Sequence, residues 1–142
     1  IFPDGEVMTG RSLEKSPACI TTQNANAICI ENLGNFDIDG DTMTAAQKSS
    51  IIGVTAALCK KFNLPPNSNT IVYHHWYRLD SGIRNDGAGG NKSCPGTNFF
   101  GGNKVEDFDQ NFVPLVKGRI SGGQIKSDTS AILKYVSVTA DE

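Results

Sequence analysis

A helical signal between residues 44 and 62 restricts what this chain can fold into more than any other feature. Thr44 is followed three residues later by Gln47, which is the pattern of a capping box at a helix N-terminus. Two prolines, at positions 65 and 66, cannot continue such a helix. Between these limits, side chains able to pack inward recur at helical spacing, at Ile51, Thr55, Leu58 and Phe62. We therefore predict a helix over residues 44–62.

Two segments on either side of this helix have the composition of strands. Residues 27–31 form a short apolar run, and period two places Ile28 and Ile30 on one face with Cys29 and Glu31 on the other. Residues 70–77 are rich in β-branched and aromatic side chains. Strands that alternate with helices indicate the α/β class. We predict a central mixed β-sheet flanked by helices, with both segments packed against the 44–62 helix.

A second helix is predicted after Asn103, which is a suitable capping residue. Pro114 should kink or shorten this helix. Its inward face would be formed by Val105, Phe108, Phe112 and Val116. Residues 1–117 then form one domain, and the Gly, Ser, Lys and Asp of residues 118–134 predict a linker. Residues 135–142 look like the start of a further strand.

The first eight residues contain a Pro-Asp-Gly turn between apolar positions, which is typical of a hairpin. Its first half would lie upstream, so both ends of the chain suggest cuts through a longer protein. We expect the sheet to expose an edge that could pair with a strand of another chain.

The charge of the chain argues against two kinds of partner. A net charge of −2 over 142 residues leaves no basic face for nucleic-acid phosphates. No apolar run approaches the roughly 18 to 20 residues that span a bilayer, and the N-terminus lacks the parts of a signal peptide. We expect neither nucleic-acid binding nor membrane insertion.

The four cysteines, at positions 19, 29, 59 and 94, are too dispersed to indicate a disulfide scaffold. Cys29 and Cys59 lie in apolar segments, where a reduced thiol packs as a small hydrophobic side chain. We predict reduced cysteines, with a Cys19–Cys29 bridge as the alternative.

Three residues in the second half of the chain could serve a metal. His74 would leave the predicted strand at 70–77, and a returning segment carries Lys92 and Cys94. A catalytic zinc site uses three protein ligands and a water. His74 would supply one nitrogen and Cys94 one thiolate. Since Lys92 and Cys94 are two residues apart, an extended backbone would place the ammonium group on the same face as the thiolate. A cation there could stabilise a developing oxyanion.

Several motifs, taken in order along the chain, resemble those of the type-2 N-acetylmuramoyl-L-alanine amidases. This zinc fold is shared by phage endolysins and peptidoglycan recognition proteins. The similarity covers roughly residues 1–117. It lies in Pro-Asp-Gly at 3–5, Thr-Gly-Arg at 9–11, the segment 27–36, Ile-x-x-His at 71–74, Lys-x-Cys-Pro-Gly at 92–96 and the continuation to 103.

The resemblance assigns roles to four residues. His74 is similar to the second zinc histidine of the family and Cys94 to its third ligand, so Zn²⁺ is the implied cofactor. Glu31 resembles the acid that activates the zinc-bound water, and Lys92 resembles the cation that stabilises the tetrahedral intermediate. The implied substrate is peptidoglycan, cleaved between N-acetylmuramic acid and L-alanine of the stem peptide.

The same resemblance leaves some points open. The first zinc histidine would lie upstream of Ile1, and His75 is the alternative to His74 as a ligand. Residues 135–142 are similar to the opening of a wall-binding domain. Such an enzyme would be secreted, wall-associated, or encoded by a phage and released at lysis. The alternative function is a peptidoglycan-binding module that holds muropeptide without cutting it.

Overall fold

A computed structural model describes residues 1–122, and the regular structure in that range is helical. None of its helices is long and apolar enough to cross a membrane. Along the chain it contains helix α1 (Ala45–Lys61), the 3-10 turns His74–Trp76 and Phe99–Gly101, helix α2 (Val105–Asp107), the π-helical segment Phe108–Phe112 and helix α3 (Val113–Ser121).

Helix α1 confirms the prediction for residues 44–62, including its start. The Thr44 hydroxyl accepts a hydrogen bond from the Gln47 backbone N–H at 3.0 Å, which satisfies one of the free donors of the first turn. The Gln47 side chain does not return to the cap. It is 1% exposed, and its amide donates instead to the carbonyls of Ile1 and Leu33 at 3.2 and 2.9 Å. Gln47 thus fastens two irregular segments to the helix.

The C-terminal helical region begins one residue later than predicted. Lys104, not Asn103, precedes the first turn, and its backbone N–H donates to the Asp107 carboxylate at 3.2 Å. The helix widens into the π-helical segment Phe108–Phe112 and then resumes as α3, with Pro114 in the first turn. Pro114 is tolerated there because the first N–H groups of a helix have no intrahelical partner. The irregularity expected near Pro114 is therefore present.

The core lies where α1 and α3 pack against each other and against the two 3-10 turns. Trp76 and Phe108 are fully buried, and their ring centroids lie 5.2 Å apart in an edge-to-face arrangement. The Trp76 indole N–H donates to the Asn103 carbonyl at 2.8 Å. The predicted inward residues of α1 and the C-terminal helices contribute to this core, except for Phe62, which is 43% exposed, and Val105, which is half-buried.

The predicted central mixed β-sheet is wrong. Over residues 1–122 there is no strand ladder, and a single antiparallel bridge joins Tyr77 to Arg84. That part of the chain consequently has no sheet edge of the kind we expected to pair with another chain.

The segment at 27–31 is not a strand because its hydrogen bonds go to one residue rather than to a neighbouring strand. The N-terminal amino group of Ile1 donates to the Glu31 carbonyl at 2.6 Å, and the Leu33 N–H donates to the Ile1 carbonyl at 2.9 Å. Ile28 is 40% exposed rather than packed inward, and Cys29 is bonded to Cys19.

The segment at 70–77 turns because of its aromatic side chains. Tyr73 and Trp76 are both buried, at 6% and 0% exposure. A strand would send residues three apart to opposite faces, whereas a 3-10 turn places them on the same side. The turn is closed by hydrogen bonds from the N–H of Trp76 to Tyr73 and from the N–H of Tyr77 to His74. Packing of the two rings therefore overrides the β-propensity of the segment.

The Pro-Asp-Gly turn and the end of helix α3 can be compared with the predictions for the two ends of the chain. The Pro-Asp-Gly turn is closed by the Phe2 N–H donating to the Glu6 carbonyl at 2.9 Å, and Ser50 of α1 donates to the Gly5 carbonyl at 2.6 Å. Helix α3 reaches Ser121, so its last turn occupies the start of the segment predicted as a linker from 118. The rest of that segment, and residues 135–142, lie outside the described residues.

Candidate functional site

His74 is the first residue of the 3-10 turn and is half-buried. Burial lowers the pKa of its imidazole, the positive charge of Lys92 lowers it further, and the negative charge of Glu31 partly opposes both. Three of the four residues singled out from the sequence thus share one electrostatic neighbourhood. The balance favours the neutral imidazole, which is the form that binds metal ions.

Glu31 lies beside a disulfide. Cys19 and Cys29 are bonded to each other, which makes the prediction of reduced cysteines wrong for this pair. The Glu31 carboxylate oxygen Oε1 is 3.5 Å from the Cys29 sulfur and 3.8 Å from the Cys19 sulfur. Neither bonded sulfur carries a hydrogen to donate, so these are contacts rather than hydrogen bonds. Cys59 is a free, buried thiol as predicted.

The disulfide loop is attached to the loop that follows the His74 turn. The Thr22 hydroxyl donates to the Ser81 carbonyl at 3.2 Å, and the Gln23 side chain donates to the Gly82 carbonyl at 3.2 Å. Gly82 has a φ of +66°, and a Cβ there would overlap the Thr21 carbonyl. The two loops therefore approach closely enough to require glycine at this position.

Cys94 is a free, exposed cysteine on a segment fastened to the residue after His74. The His75 N–H donates to the Cys94 carbonyl at 2.7 Å. The His75 ring nitrogen Nδ1 lies 2.7 Å from the Lys92 carbonyl oxygen. Lys92 itself is exposed. Backbone contacts thus bring the Lys92–Cys94 segment to the His74 turn.

A second set of contacts, which we call the Asp37 clamp, binds Ser93 within this segment and Thr97 shortly after it. The Asp37 carboxylate accepts from the Thr97 N–H at 2.9 Å and from the Ser93 hydroxyl at 3.0 Å. The Thr97 hydroxyl in turn accepts from the Ile38 N–H at 2.8 Å. The hydrogen bond from the Thr97 backbone, followed by that from Ser93, lowers the pKa of Asp37. The ionised Asp37 carboxylate therefore binds one residue before Cys94 and one residue after it.

The acidic side chains of Asp37 and Asp41 are both part of this scaffold. The Asp41 carboxylate accepts from the Asn35 N–H at 2.7 Å, and the Gly40 N–H donates to the Asp37 carbonyl at 2.9 Å.

The donor chemistry of His74 and Cys94 suits zinc, but these two residues are two of the three ligands that a catalytic site uses. Within residues 1–122, the one group of three possible donors whose ligand atoms all lie within 4.8 Å of one another is Cys19, Cys29 and Glu31. Its sulfurs are engaged in the disulfide and are not thiolates. The described residues thus present an incomplete zinc site.

An open groove of about 510 Å³ lies elsewhere, between α1, α3 and the turn at 99–101. Lys48 and Ile52 of α1, Leu115 of α3 and Phe100 are among its lining residues. None of the four residues singled out from the sequence lines it. The cavity is therefore separate from the proposed chemistry.

Sequence reasoning missed two features of this region, the Asp37 clamp and the ring contact of His75, and it gave the Cys19–Cys29 disulfide only as an alternative. The clamp has no local signal, because its partners are 56 and 60 residues apart in sequence. Arg84 is a structural residue as well. Its guanidinium lies 4.9 Å from the Trp76 ring centroid and donates to the Ser68 carbonyl at 2.6 Å.

Comparison with known proteins gives one positive result. A family model described as N-acetylmuramoyl-L-alanine amidase matches residues 1–97. The match includes Glu31, His74, Lys92 and Cys94. No curated protein and no solved structure matches the chain.

Proposed function

Because the chain belongs to the N-acetylmuramoyl-L-alanine amidase family, we propose that it is a zinc-dependent peptidoglycan hydrolase. Family membership supports a peptidoglycan amidase activity in general. The proposal adds the scissile bond, the metal and the residues. The bond is the amide between N-acetylmuramic acid and L-alanine of the stem peptide.

In this proposal His74 and Cys94 would hold the metal as two of its ligands. Zinc bound there would supply a water of near-neutral pKa and would polarise the scissile carbonyl. The Glu31 carboxylate accepts a proton from the attacking water and returns it to the departing amide nitrogen. The Lys92 ammonium group stabilises the negative charge that develops on the carbonyl oxygen.

The observation that carries the proposal is the contact between the Lys92–Cys94 segment and the His74 turn, where the His75 N–H donates to the Cys94 carbonyl at 2.7 Å. A carboxylate and an ammonium group both act on the half-buried imidazole of His74, and all three residues lie within the family match. An acid-base group and a cation beside a metal ligand are what amide hydrolysis by a polarised water requires.

The test uses the full-length protein and purified peptidoglycan. We expect release of stem peptides with new L-alanine amino termini and no new reducing sugar ends, abolished by a chelator and restored by Zn²⁺. Glu31→Gln should lower kcat by about 10²- to 10⁴-fold, which is typical for loss of an acid-base group. Glu14→Gln is the matched control, because Glu14 is also exposed and lies outside the site.

The incomplete ligand set favours one second function, a binding module of the same family that holds muropeptide without cutting it. Co-sedimentation with peptidoglycan separates the two. Binding without release of stem peptide, with zinc present in the protein, would reject the hydrolase and leave the binding module.

A further inference from the structure

We propose that His75 is a positioning residue that holds the Lys92–Cys94 segment in register with His74. This proposal rests on the hydrolase function, because it assigns His75 the task of placing the cation and the thiol of that reaction. His75 touches neither substrate nor metal in this role and acts through the main chain of its neighbours.

The contacts of His75 bracket the segment. Its backbone N–H donates to the Cys94 carbonyl at 2.7 Å, and its ring Nδ1 lies 2.7 Å from the Lys92 carbonyl oxygen. One residue thus binds the carbonyls on both sides of Ser93. Since the Asp37 clamp holds the Ser93 side chain, the segment is fixed from two directions.

The ring contact determines the tautomer of His75. A carbonyl oxygen accepts hydrogen bonds but donates none, so Nδ1 must carry the hydrogen. In the neutral ring, Nε2 is then the nitrogen without a hydrogen. That nitrogen faces Gly87, where an added Cβ would lie only 2.4 Å from it. In this arrangement Nδ1 is bonded to the Lys92 carbonyl, and Nε2 points towards Gly87.

The loop around the ring is closed on itself, which makes the ring a fixed support. The Leu79 N–H donates to the Gly90 carbonyl at 2.8 Å, and the Asn91 side chain donates to that of Asn85 at 2.7 Å. Gly87, with a φ of +87°, gives the imidazole the room that any side chain would take. The half-buried ring thus lies between Gly87 of this loop and the Lys92 carbonyl.

Two variants separate positioning from general stability. His75→Asn keeps an N–H donor close to the place of Nδ1, whereas His75→Ala removes it and leaves the backbone bond to Cys94 intact. We expect His75→Ala to lower kcat about tenfold with little change in KM, which is the pattern for loss of an interaction made in the transition state. His75→Asn should recover most of kcat, and both variants should unfold at similar temperatures.

Nitrogen-15 NMR of the wild-type protein at about pH 8, where an ordinary imidazole is neutral, gives a readout that does not depend on activity. We expect a ring signal with its hydrogen on Nδ1, and we expect this signal to be absent from the spectrum of His75→Ala. A hydrogen on Nε2 alone would overturn the proposal. So would wild-type kcat in His75→Ala, or equal losses in the Ala and Asn variants.

The same measurements distinguish failure of the proposed function from failure of this inference. If the wild-type protein releases no stem peptide, the hydrolase proposal fails and takes the catalytic role of His75 with it, whatever the tautomer. If the wild-type protein is active and His75→Ala is equally active, the hydrolase function stands and the positioning role alone is rejected.

Discussion

Replacing Tyr73 by phenylalanine should make this protein more stable. The Tyr73 side chain is buried, and within residues 1–122 its hydroxyl has no hydrogen-bond partner. Burial, followed by the negative charge of Asp107, raises the pKa of this phenol well above its ordinary range, so the hydroxyl stays neutral. Folding therefore takes a polar group out of water without a compensating bond.

The magnitude follows from what the substitution removes and what it keeps. An unsatisfied buried hydroxyl costs about 1 to 3 kcal/mol, and removing one oxygen sacrifices only a few dispersion contacts. The ring stays among four aromatic neighbours, at centroid distances from 5.0 to 6.2 Å: Trp76, Phe99, Phe108 and Phe112. We expect the free energy of unfolding to rise by about 1 kcal/mol, which corresponds to an increase in Tm of about 3 °C.

The assay is urea unfolding followed by the fluorescence of Trp76, the one tryptophan of the chain, whose ring lies 5.0 Å from that of Tyr73. The midpoint should rise with an unchanged m-value. Tyr77→Phe is the matched control, because Tyr77 is only half-buried and should change stability by less than about 0.5 kcal/mol. A Tyr73→Phe protein that is less stable than the wild type would show that the hydroxyl is satisfied in solution, and would refute the reasoning.

Three further substitutions or treatments test the scaffold. Thiol titration in denaturant should find two thiols before reduction and four after it. The double substitution Cys19→Ser and Cys29→Ser should lower the free energy of unfolding by about 2.7 kcal/mol, the chain-entropy estimate for a loop of this length. Because the pKa of Asp37 is lowered from 3.8 on folding, its contribution is present above that pH and is lost as the pH falls below it; Asp37→Asn should therefore reduce the acid-induced loss of Tm. Gly96→Ala should destabilise the protein by about 2 kcal/mol or more, since φ at this residue is +132° and an added Cβ would lie 2.5 Å from main-chain atoms. The control is Gly118→Ala on α3, where nothing lies within 4 Å of an added Cβ. This substitution should stabilise the protein by about 0.5 to 1 kcal/mol.

The predictable parts of the fold were those specified by nearby residues. The start of α1 follows from Thr44 and Gln47, and the spacing of its apolar side chains follows from the helical repeat. The break before Pro114 also follows from local chemistry, although its form as a π-helical segment does not. These features depend on contacts within a few positions of each other.

The sheet prediction failed because it treated β-propensity as a property of the segment alone. The residues around Tyr73 and Trp76 suit a strand, but a shared aromatic core bends them into a turn. Strand formation requires a partner of matching length, and the partner of residues 31–33 is the single residue Ile1.

The residues of the candidate site could be proposed from the sequence because their motifs resemble those of a known family. The charges of Lys92 and Glu31 both act on the pKa of His74, and the catalytic roles of these residues stay predictions. The parts that hold the site could not be proposed in this way. Asp37 contacts Ser93 and Thr97 only in the folded chain, and the ring of His75 contacts Lys92, which is 17 positions later in the sequence.

The absence of a strand ladder over the described residues has a consequence for how this protein moves. Backbone amides there are bonded in series mainly within α1 and α3, so native-state hydrogen exchange should be slow in those helices and fast through most of the remaining chain. Residues 29–31 and 92–97 then belong to the part that opens at low free energy, whereas Trp76 of the 74–76 turn is buried in the core. Each of these two segments returns to its place through a few individual bonds, so the loss of one bond should loosen one loop while the helical core stays closed.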